Sequence, residues 1–282
     1  MEYGTMLCRT ALSPSRLPGL KYSLNPYFGC EHGCLYCYAR SVSHDEEIAQ
    51  TWGTFVKAKS NIPETLAREL RRKDKGTIGL STVTDPYQPV ESRLQLTRAC
   101  LQVLKNCGFK VSIQTKSSLV LRDIDLISGP MFEVGVTITT MNPELAGKME
   151  PRASPPDERQ QILESYRERK VETWIFLGPI IPDVNDRIED IGQIVRVAKT
   201  TSSRLLFDKL NLRPWVLQSL APFLAEEAPE SLENLPVLLS GRSGYWNEVS
   251  AKVGSLCRDL GVRCEPAFSF AQNDQKLRRS LN

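Results

Sequence analysis

Three cysteines, Cys30, Cys34 and Cys37, stand within one stretch of eight residues. Thiolates are soft ligands, and proteins use them to bind zinc and iron–sulfur clusters. Three thiolates at this spacing can bind three irons of a cubane cluster and leave the fourth iron open to another ligand. Residues 30–37, called the cysteine loop below, therefore predict an iron–sulfur site at which chemistry can take place.

A structural zinc site is the alternative for the cysteine loop. Zinc takes four ligands, usually as two closely spaced pairs. The other cysteines form no second pair of short spacing and stand at Cys8, Cys100, Cys107, Cys257 and Cys264. The chain has only two histidines, which argues against His-rich metal sites and against Ser–His or Cys–His catalysis. The pattern favours a cluster.

The composition is that of an ordinary globular protein. The 282 residues carry a net charge of +3, which permits an anionic partner without demanding one. The N-terminus has no basic segment followed by an apolar run, and no apolar stretch reaches the roughly 18 residues of a membrane span. We expect a cytoplasmic protein without membrane attachment, in which the cysteines are thiols or metal ligands.

Runs rich in β-branched and aromatic residues alternate with helical patterns. They predict strands at residues 77–83, 110–115, 133–139, 172–177 and 204–211. Asn61, Asp157 and Asp186 each precede a Glu or Gln by three residues, which predicts helix starts. Alternating strands and helices are typical of βαβ units. We predict an α/β fold, a partial (β/α)6 barrel of TIM type with N-terminal and C-terminal extensions.

The whole chain, residues 1–282, is predicted to be one domain. Its core is expected at about residues 21–215, and residues 216–282 are expected to pack on the barrel as an extension. In such folds the active site lies at the carboxyl ends of the strands. Polar residues follow the predicted strands at these ends, namely Thr84, Asp85, Lys116, Thr137 and Thr139. They are candidates to bind a ligand.

The residues around the cysteines resemble the radical S-adenosylmethionine (radical SAM) superfamily. The resemblance rests on the C-x3-C-x2-C spacing and on Tyr36 before the third cysteine. Further stretches match in order, at residues 25–40, 81–91, 115–117, 122–123, 149–153 and 179–186. They are similar to relatives of spore photoproduct lyase that are often described as DNA repair photolyases. The final third of the chain matches less distinctively.

The resemblance implies a [4Fe–4S] cluster on Cys30, Cys34 and Cys37, with SAM on the free iron. An electron from the cluster would cleave SAM to a 5′-deoxyadenosyl radical, which would abstract a hydrogen atom from a substrate. A reductant such as a ferredoxin or flavodoxin would supply the electron. The substrate is unassigned; modification or repair of a macromolecule, nucleic acid or protein, is favoured, and we expect a monomer.

The resemblance also suggests contacts to SAM. Asp85, next to Thr84, would accept from the SAM ammonium, and Lys116 would pair with the SAM carboxylate. Further candidates are Tyr36, Tyr38, Thr137, Thr139, Ile180 and Ile181. Each of these residues also has a purely structural interpretation. Lys116 would be a surface charge, Asp85 would open a turn, and Thr137 and Thr139 would be strand residues that face the inside of the barrel.

The substrate side is less defined. Glu150 and Arg152 are the catalytic candidates, with Arg159 near them, and a salt-bridged loop is the structural alternative. Spore photoproduct lyases place a hydrogen-donating cysteine a few residues before the aspartate that corresponds to Asp85. This chain has Thr82 there. A repair cycle would therefore need another hydrogen donor.

Two other functions fit part of the sequence. A non-enzymatic iron–sulfur redox or sensor protein would use the cysteine loop, but it has no need of Asp85, Lys116 and Thr137 at strand ends. A structural zinc-binding module for nucleic acid would have no need of a barrel.

Overall fold

The fold is built on one large sheet and one small sheet, and the computed structural model describes residues 1–240 and 243–268. Within these ranges the strands are β1 (Glu2–Met6), β2 (Leu12–Pro14), β3 (Tyr22–Leu24), β4 (Tyr27–Phe28), β5 (Phe55–Lys59), β6 (Thr77–Leu80), β7 (Lys110–Thr115), β8 (Phe132–Thr137), β9 (Glu172–Ile180), β10 (Arg204–Lys209) and β11 (Cys264–Pro266). The helices there are α1 (Glu46–Gln50), α2 (Ile62–Leu70), α3 (Glu91–Leu94), α4 (Leu96–Leu104), α5 (Pro143–Met149), α6 (Pro156–Glu168), α7 (Ile188–Thr201), α8 (Pro214–Glu227), α9 (Pro229–Leu238) and α10 (Tyr245–Leu260). Short 3-10 helices lie at Tyr38–Ser41 and Ser118–Asp123.

In the described part of the chain, eight strands form the large sheet in the order β11-β10-β9-β8-β7-β6-β3-β2. Every neighbouring pair is parallel except β2 and β3. From β6 to β10 the strands are neighbours in chain order, as successive βαβ units require. Because β2 and β11 do not pair within the described residues, the sheet stays open. The predicted α/β fold with a parallel, partial-barrel sheet is confirmed.

Alternate residues of the parallel strands face the helices. Val111 and Ile113 of β7, like Val134 and Val136 of β8, are fully buried in the main hydrophobic core together with residues of α2, α4, α6 and α7. Since successive side chains of a strand point to opposite faces, the residues between them face the inside of the open barrel.

The inside of the barrel is filled towards the amino ends of the strands. Glu133 pairs there with Lys110 at 2.8 Å and with Arg204 at 3.2 Å. One step further along, the indole of Trp174 lies directly over Gly135, where a Cβ would come within 2.1 Å of the ring. The carboxyl ends are therefore the side left for chemistry.

The small sheet of the described residues, β1-β5-β4, leads the chain into the cysteine loop. β4 pairs with β5 and ends directly before Gly29. From the other side, α8 and α9 cover the loop, because Val216, Leu220 and Leu235 share one apolar cluster with Cys34. Residues 269–282 of the predicted C-terminal extension lie outside the described residues.

Some boundaries differ from the sequence prediction. β6 ends at Leu80 and β8 at Thr137, so residues 81–83 and 138–139, which were predicted as strand, lie on the loops that follow. β6 stops early because Ser81 has a φ of 65°, which breaks the extended backbone.

Two of the three predicted helix starts are displaced. α2 begins directly after Asn61, as predicted, but the Asn61 side chain binds the backbone of Cys8 instead of capping the helix. α6 begins before Asp157, and α7 begins after Arg187, so neither Asp157 nor Asp186 occupies the capping position. No helix of residues 1–240 and 243–268 has both the length and the apolar surface that crossing a membrane requires.

Candidate functional site

The cysteine loop turns sharply at two glycines. Gly29 has a φ of 86°, and a Cβ there would lie 2.4 Å from the carbonyl oxygen of Phe55. Gly33 has a φ of 62° and packs against Gly53, whose Cβ would lie 2.8 Å from the Gly33 Cα. A side chain would be strained at both Gly29 and Gly33 because of the positive φ, and at Gly29 it would also collide with backbone.

The three thiols are shielded from water. Cys30 and Cys34 are buried and Cys37 is half-buried. Burial raises the pKa of Cys34 to about 12, and it raises the pKa of Cys30 well above its ordinary value. A thiol in such surroundings becomes a thiolate when a metal neutralises it.

These donors fit a cubane cluster better than a single zinc ion. A zinc ion would need four ligand atoms converging on one point. In the described residues, no group of three His, Cys, Asp or Glu side chains is arranged to hold one ion. A cubane binds each thiolate to a different iron, so the sulfur atoms need not converge.

The loop after β6 holds the cysteine loop from one side. The Thr84 hydroxyl donates to the Gly29 carbonyl at 2.6 Å. The Gln88 amide oxygen accepts from the Glu31 backbone N–H at 2.8 Å, and the Glu31 carboxylate accepts from the Val90 N–H at 2.6 Å. Thr84, predicted to contact SAM, thus contacts the cysteine loop directly.

Asp85 is buried and engaged by several donors. One carboxylate oxygen accepts from the Thr115 hydroxyl at 2.7 Å and from the Tyr87 N–H at 2.9 Å. The other accepts from the Lys116 N–H at 2.9 Å and lies 3.4 Å from His32 Nδ1. Burial would raise the pKa of Asp85, but His32, Lys116 and the Thr115 hydrogen bond lower it to about 2. The anion joins the cysteine loop to the ends of β6 and β7.

Glu150 and Arg159 form a buried ion pair at 2.5 Å, with each residue 1% exposed. The Glu150 carboxylate also accepts from the hydroxyls of Tyr36 and Thr139. Arg159 donates to the Thr137 carbonyl at 2.9 Å. Burial acts to raise the pKa of Glu150, but Arg159 and Lys116 bring it below its ordinary value. Glu150, a catalytic candidate, thus lies inside a salt-bridged network.

Arg152, the second catalytic candidate, binds the backbone of the cysteine-loop region. Its Nε donates to the Glu31 carbonyl and its Nη2 to the Gly53 carbonyl, both at 2.7 Å. The guanidinium thereby joins the cysteine loop, at Glu31, to the turn at Gly53 that packs against Gly33.

Lys116 lies at the end of β7, half-buried, with its Nζ 5.8 Å from the centre of the Tyr36 ring. Burial acts to lower its pKa, but the charges of Cys34, Glu150 and Asp85 raise it above the ordinary value. Lys116 makes no ion pair with a carboxylate of the described residues. A cation so placed can bind an anionic group that enters the mouth of the barrel.

The remaining predicted SAM contacts are distributed around this mouth. Tyr38 donates its hydroxyl to the Thr82 carbonyl, and the Thr137 hydroxyl accepts from Gln114 at 3.1 Å. Thr139, Ile180 and Ile181 are buried at the carboxyl edge of β8 and β9. Ile181 belongs to the same apolar cluster as Cys34 and Tyr36.

Three polar residues of this region were missed as site residues. The Asn25 side chain accepts from the N–H groups of Thr82 and Val83, and Asn185 donates to the Thr139 carbonyl at 2.8 Å. Arg40 is buried beside the cysteine loop. All three lie inside the stretches of sequence that resemble the radical SAM superfamily, and this position could have marked them as site residues. The sequence alone does not show which groups they bind.

Comparisons with known proteins agree with this geometry. Residues 24–196 match the family profile of the radical SAM superfamily. An uncharacterized protein of Methanocaldococcus jannaschii is 34% identical over 256 residues, which cover 89% of this chain and 92% of the relative. An uncharacterized protein of Mycobacterium tuberculosis is 30% identical over 243 residues, covering 82% of this chain and 71% of the relative.

Solved structures show the same fold. Spore photoproduct lyase, with bound AdoMet and dinucleoside spore photoproduct, superposes with a TM-score of 0.68 at 12% identity, covering 94% of this chain and 82% of that chain. A radical SAM methyltransferase from Sphaerobacter thermophilus gives a TM-score of 0.58 at 16% identity, covering 91% and 77%.

An open parallel barrel with three cysteines at its carboxyl edge is the framework of an iron–sulfur enzyme. The chain belongs to the radical SAM superfamily, whose members use a [4Fe–4S] cluster and SAM. The resemblance seen in the sequence is confirmed.

Proposed function

We propose that Cys30, Cys34 and Cys37 hold a [4Fe–4S] cluster and that SAM binds at the carboxyl ends of β6 to β9. The observation that carries this proposal is that the cysteine loop lies at the same mouth of the barrel as the Lys116 ammonium, which has no carboxylate partner among the described residues. When bound, the cluster supplies the electron that cleaves SAM to a 5′-deoxyadenosyl radical, which abstracts a hydrogen atom from the substrate.

The residues of the chain bind and orient SAM. Lys116 pairs with the SAM carboxylate, while Tyr36 and Ile181 keep water from the site. Asp85, whose oxygens already receive protein hydrogen bonds, holds the cysteine loop and the end of β7 in register. With these residues assigned to SAM and to the cysteine loop, the open inside of the barrel is left for the substrate.

A macromolecular substrate is favoured, and a nucleic acid lesion is the first to test. The support is the fold shared with spore photoproduct lyase, which binds a dinucleoside spore photoproduct. Thr82 has no thiol to return a hydrogen atom, and the five cysteines outside the loop pack against the core between the sheet and the helices. We propose Tyr38, whose hydroxyl donates to the Thr82 carbonyl, as the hydrogen donor instead.

The cofactor proposal is tested by anaerobic reconstitution with iron and sulfide, reduction with dithionite, and addition of SAM. We expect 5′-deoxyadenosine, and a change in the EPR spectrum of the reduced cluster when SAM binds. Lys116→Met should take up iron normally but bind SAM weakly, and Cys37→Ala should fail at the iron step. A protein that holds one tightly bound zinc ion and no iron would overturn the proposal.

The substrate proposal is tested separately with a dinucleoside lesion. Wild type, Tyr38→Phe and the double variant Tyr38→Phe/Thr82→Cys are compared for repair. Tyr38→Phe should lose turnover while still making 5′-deoxyadenosine, and adding Thr82→Cys to it should restore turnover. If wild type makes 5′-deoxyadenosine but never alters a lesion, the substrate lies outside this class.

A further inference from the structure

Arg40 is a buried cation without a carboxylate partner. It lies in the 3-10 helix Tyr38–Ser41, directly after the cysteine loop, and is 6% exposed. Its Nη1 donates to the Ala49 carbonyl and its Nη2 to the Cys34 carbonyl, each at 3.3 Å. Its Nε is buried and makes no hydrogen bond with the described residues. Nor does any carboxylate of those residues form an ion pair with it.

Such an arrangement is costly unless a negative charge lies close by. A guanidinium keeps its proton in folded proteins, so it cannot escape the cost of burial by becoming neutral. Buried charges are normally paired. Arg40 donates to the backbone of Cys34, and the groups whose negative charge would favour its charged form are the Cys37 and Cys34 sulfur atoms, which become anionic as metal ligands. Ala39, the neighbour of Arg40 in the chain, belongs to a buried apolar cluster with Cys30 and Trp52, and a buried charge in apolar surroundings is poorly screened.

We propose that Arg40 is the built-in counter-ion of the cluster, a positioning residue that stabilises the loaded loop and raises the reduction potential of the cluster. This inference rests on the proposed function. Three thiolates give a bound cluster net negative charge, and reduction adds one more electron. A fixed positive charge beside the cluster stabilises the reduced form more than the oxidised form, because net charge and burial set cluster potentials. Arg40 would therefore ease the electron transfer that precedes SAM cleavage.

The competing interpretation is that Arg40 only holds two backbone carbonyls in place. Three variants separate charge from hydrogen bonding. Arg40→Gln keeps an amide donor and removes the charge, and Arg40→Lys keeps the charge. Arg152→Gln is the matched control, since Arg152 binds carbonyls of the same region from an exposed position.

Each protein is reconstituted, its iron content is measured, and its midpoint potential is determined by EPR-monitored redox titration without SAM. The rise in Tm on cluster loading is measured as well. We expect Arg40→Gln to shift the midpoint potential to more negative values and to reduce the rise in Tm. Arg40→Lys should stay close to wild type, and Arg152→Gln should keep the wild-type potential.

A loaded Arg40→Gln protein with the potential and Tm rise of wild type would overturn the inference. The inference would also be overturned if Arg40→Lys behaved like Arg40→Gln, or if neither variant took up iron. If Arg40→Gln alone fails to take up iron while Arg40→Lys loads, the charge requirement is supported. Failure of wild type to bind iron would instead refute the proposed function, and the inference with it.

Discussion

At the carboxyl end of the sheet, the Arg159 guanidinium lies 2.5 Å from the Glu150 carboxylate, and both are buried. Beside the cysteine loop, Arg40 is almost equally buried, yet it has only two carbonyl oxygens as partners in the described chain. The first region pairs its charges with one another. In the second, no carboxylate of the described residues pairs with Arg40, which lies directly after the three cysteines.

This difference separates stability from function. Asp85, Glu150 and Arg159, the strand-end network, are satisfied by the chain itself and should hold the barrel mouth in any state. The cysteine loop is held by hydrogen bonds from outside, and we propose that the cluster balances the charge of Arg40 beside it. A site that is complete only with its cofactor couples cofactor binding to the stability of the loop.

The largest effect should follow from breaking the strand-end pair. Arg159→Met leaves the Glu150 carboxylate buried without its partner, so the free energy of unfolding of the metal-free protein should fall by about 3–5 kcal/mol. Urea unfolding followed by circular dichroism measures this. Lys148→Met, which removes an exposed ion pair with Glu227, is the matched control and should stay close to wild type. Equal losses in the two variants would contradict a stabilising strand-end network.

A smaller, pH-dependent effect should come from Asp85. Its folded pKa of about 2 lies below the ordinary 3.8, so the stability it contributes is complete above that ordinary value and is lost as the pH falls towards 2. This contribution is about 2 kcal/mol. The difference in unfolding free energy between wild type and Asp85→Asn should therefore shrink by this amount between about pH 5 and about pH 2. A difference that stays constant with pH would show that Asp85 does not titrate as an engaged anion.

The smallest effect should come from loosening the cysteine loop alone. Arg152→Met removes, from an exposed position, one hydrogen bond to the Glu31 carbonyl of the loop and one to the Gly53 carbonyl, and should cost about 1 kcal/mol. Hydrogen exchange in the metal-free protein should quicken at residues 29–37 and stay unchanged in β8. Faster exchange in both places would show that the two regions open as one unit, which would contradict a difference in stability between them.

Much of the fold could be predicted because its signals are local. β7 was predicted at its observed bounds, since its alternating pattern covers the whole strand. β6 was predicted too long, because Ser81 and the residues after it continue a β-branched pattern while the backbone turns away. The same limit applies to Asn61, which stands at the start of α2 but binds the backbone of Cys8, a residue distant in sequence.

The sequence alone brought the three proposed cysteine ligands together and indicated the radical SAM superfamily, because three thiols within eight residues must lie close together whatever the rest of the chain does. Only the tertiary structure decided which charges are balanced. Arg152 reaches a carbonyl 121 residues away, and Glu150 is paired with Arg159 while Arg40 has no carboxylate within the described chain. Ion pairing depends on distances across the folded chain, and the pattern of neighbouring residues does not encode those distances.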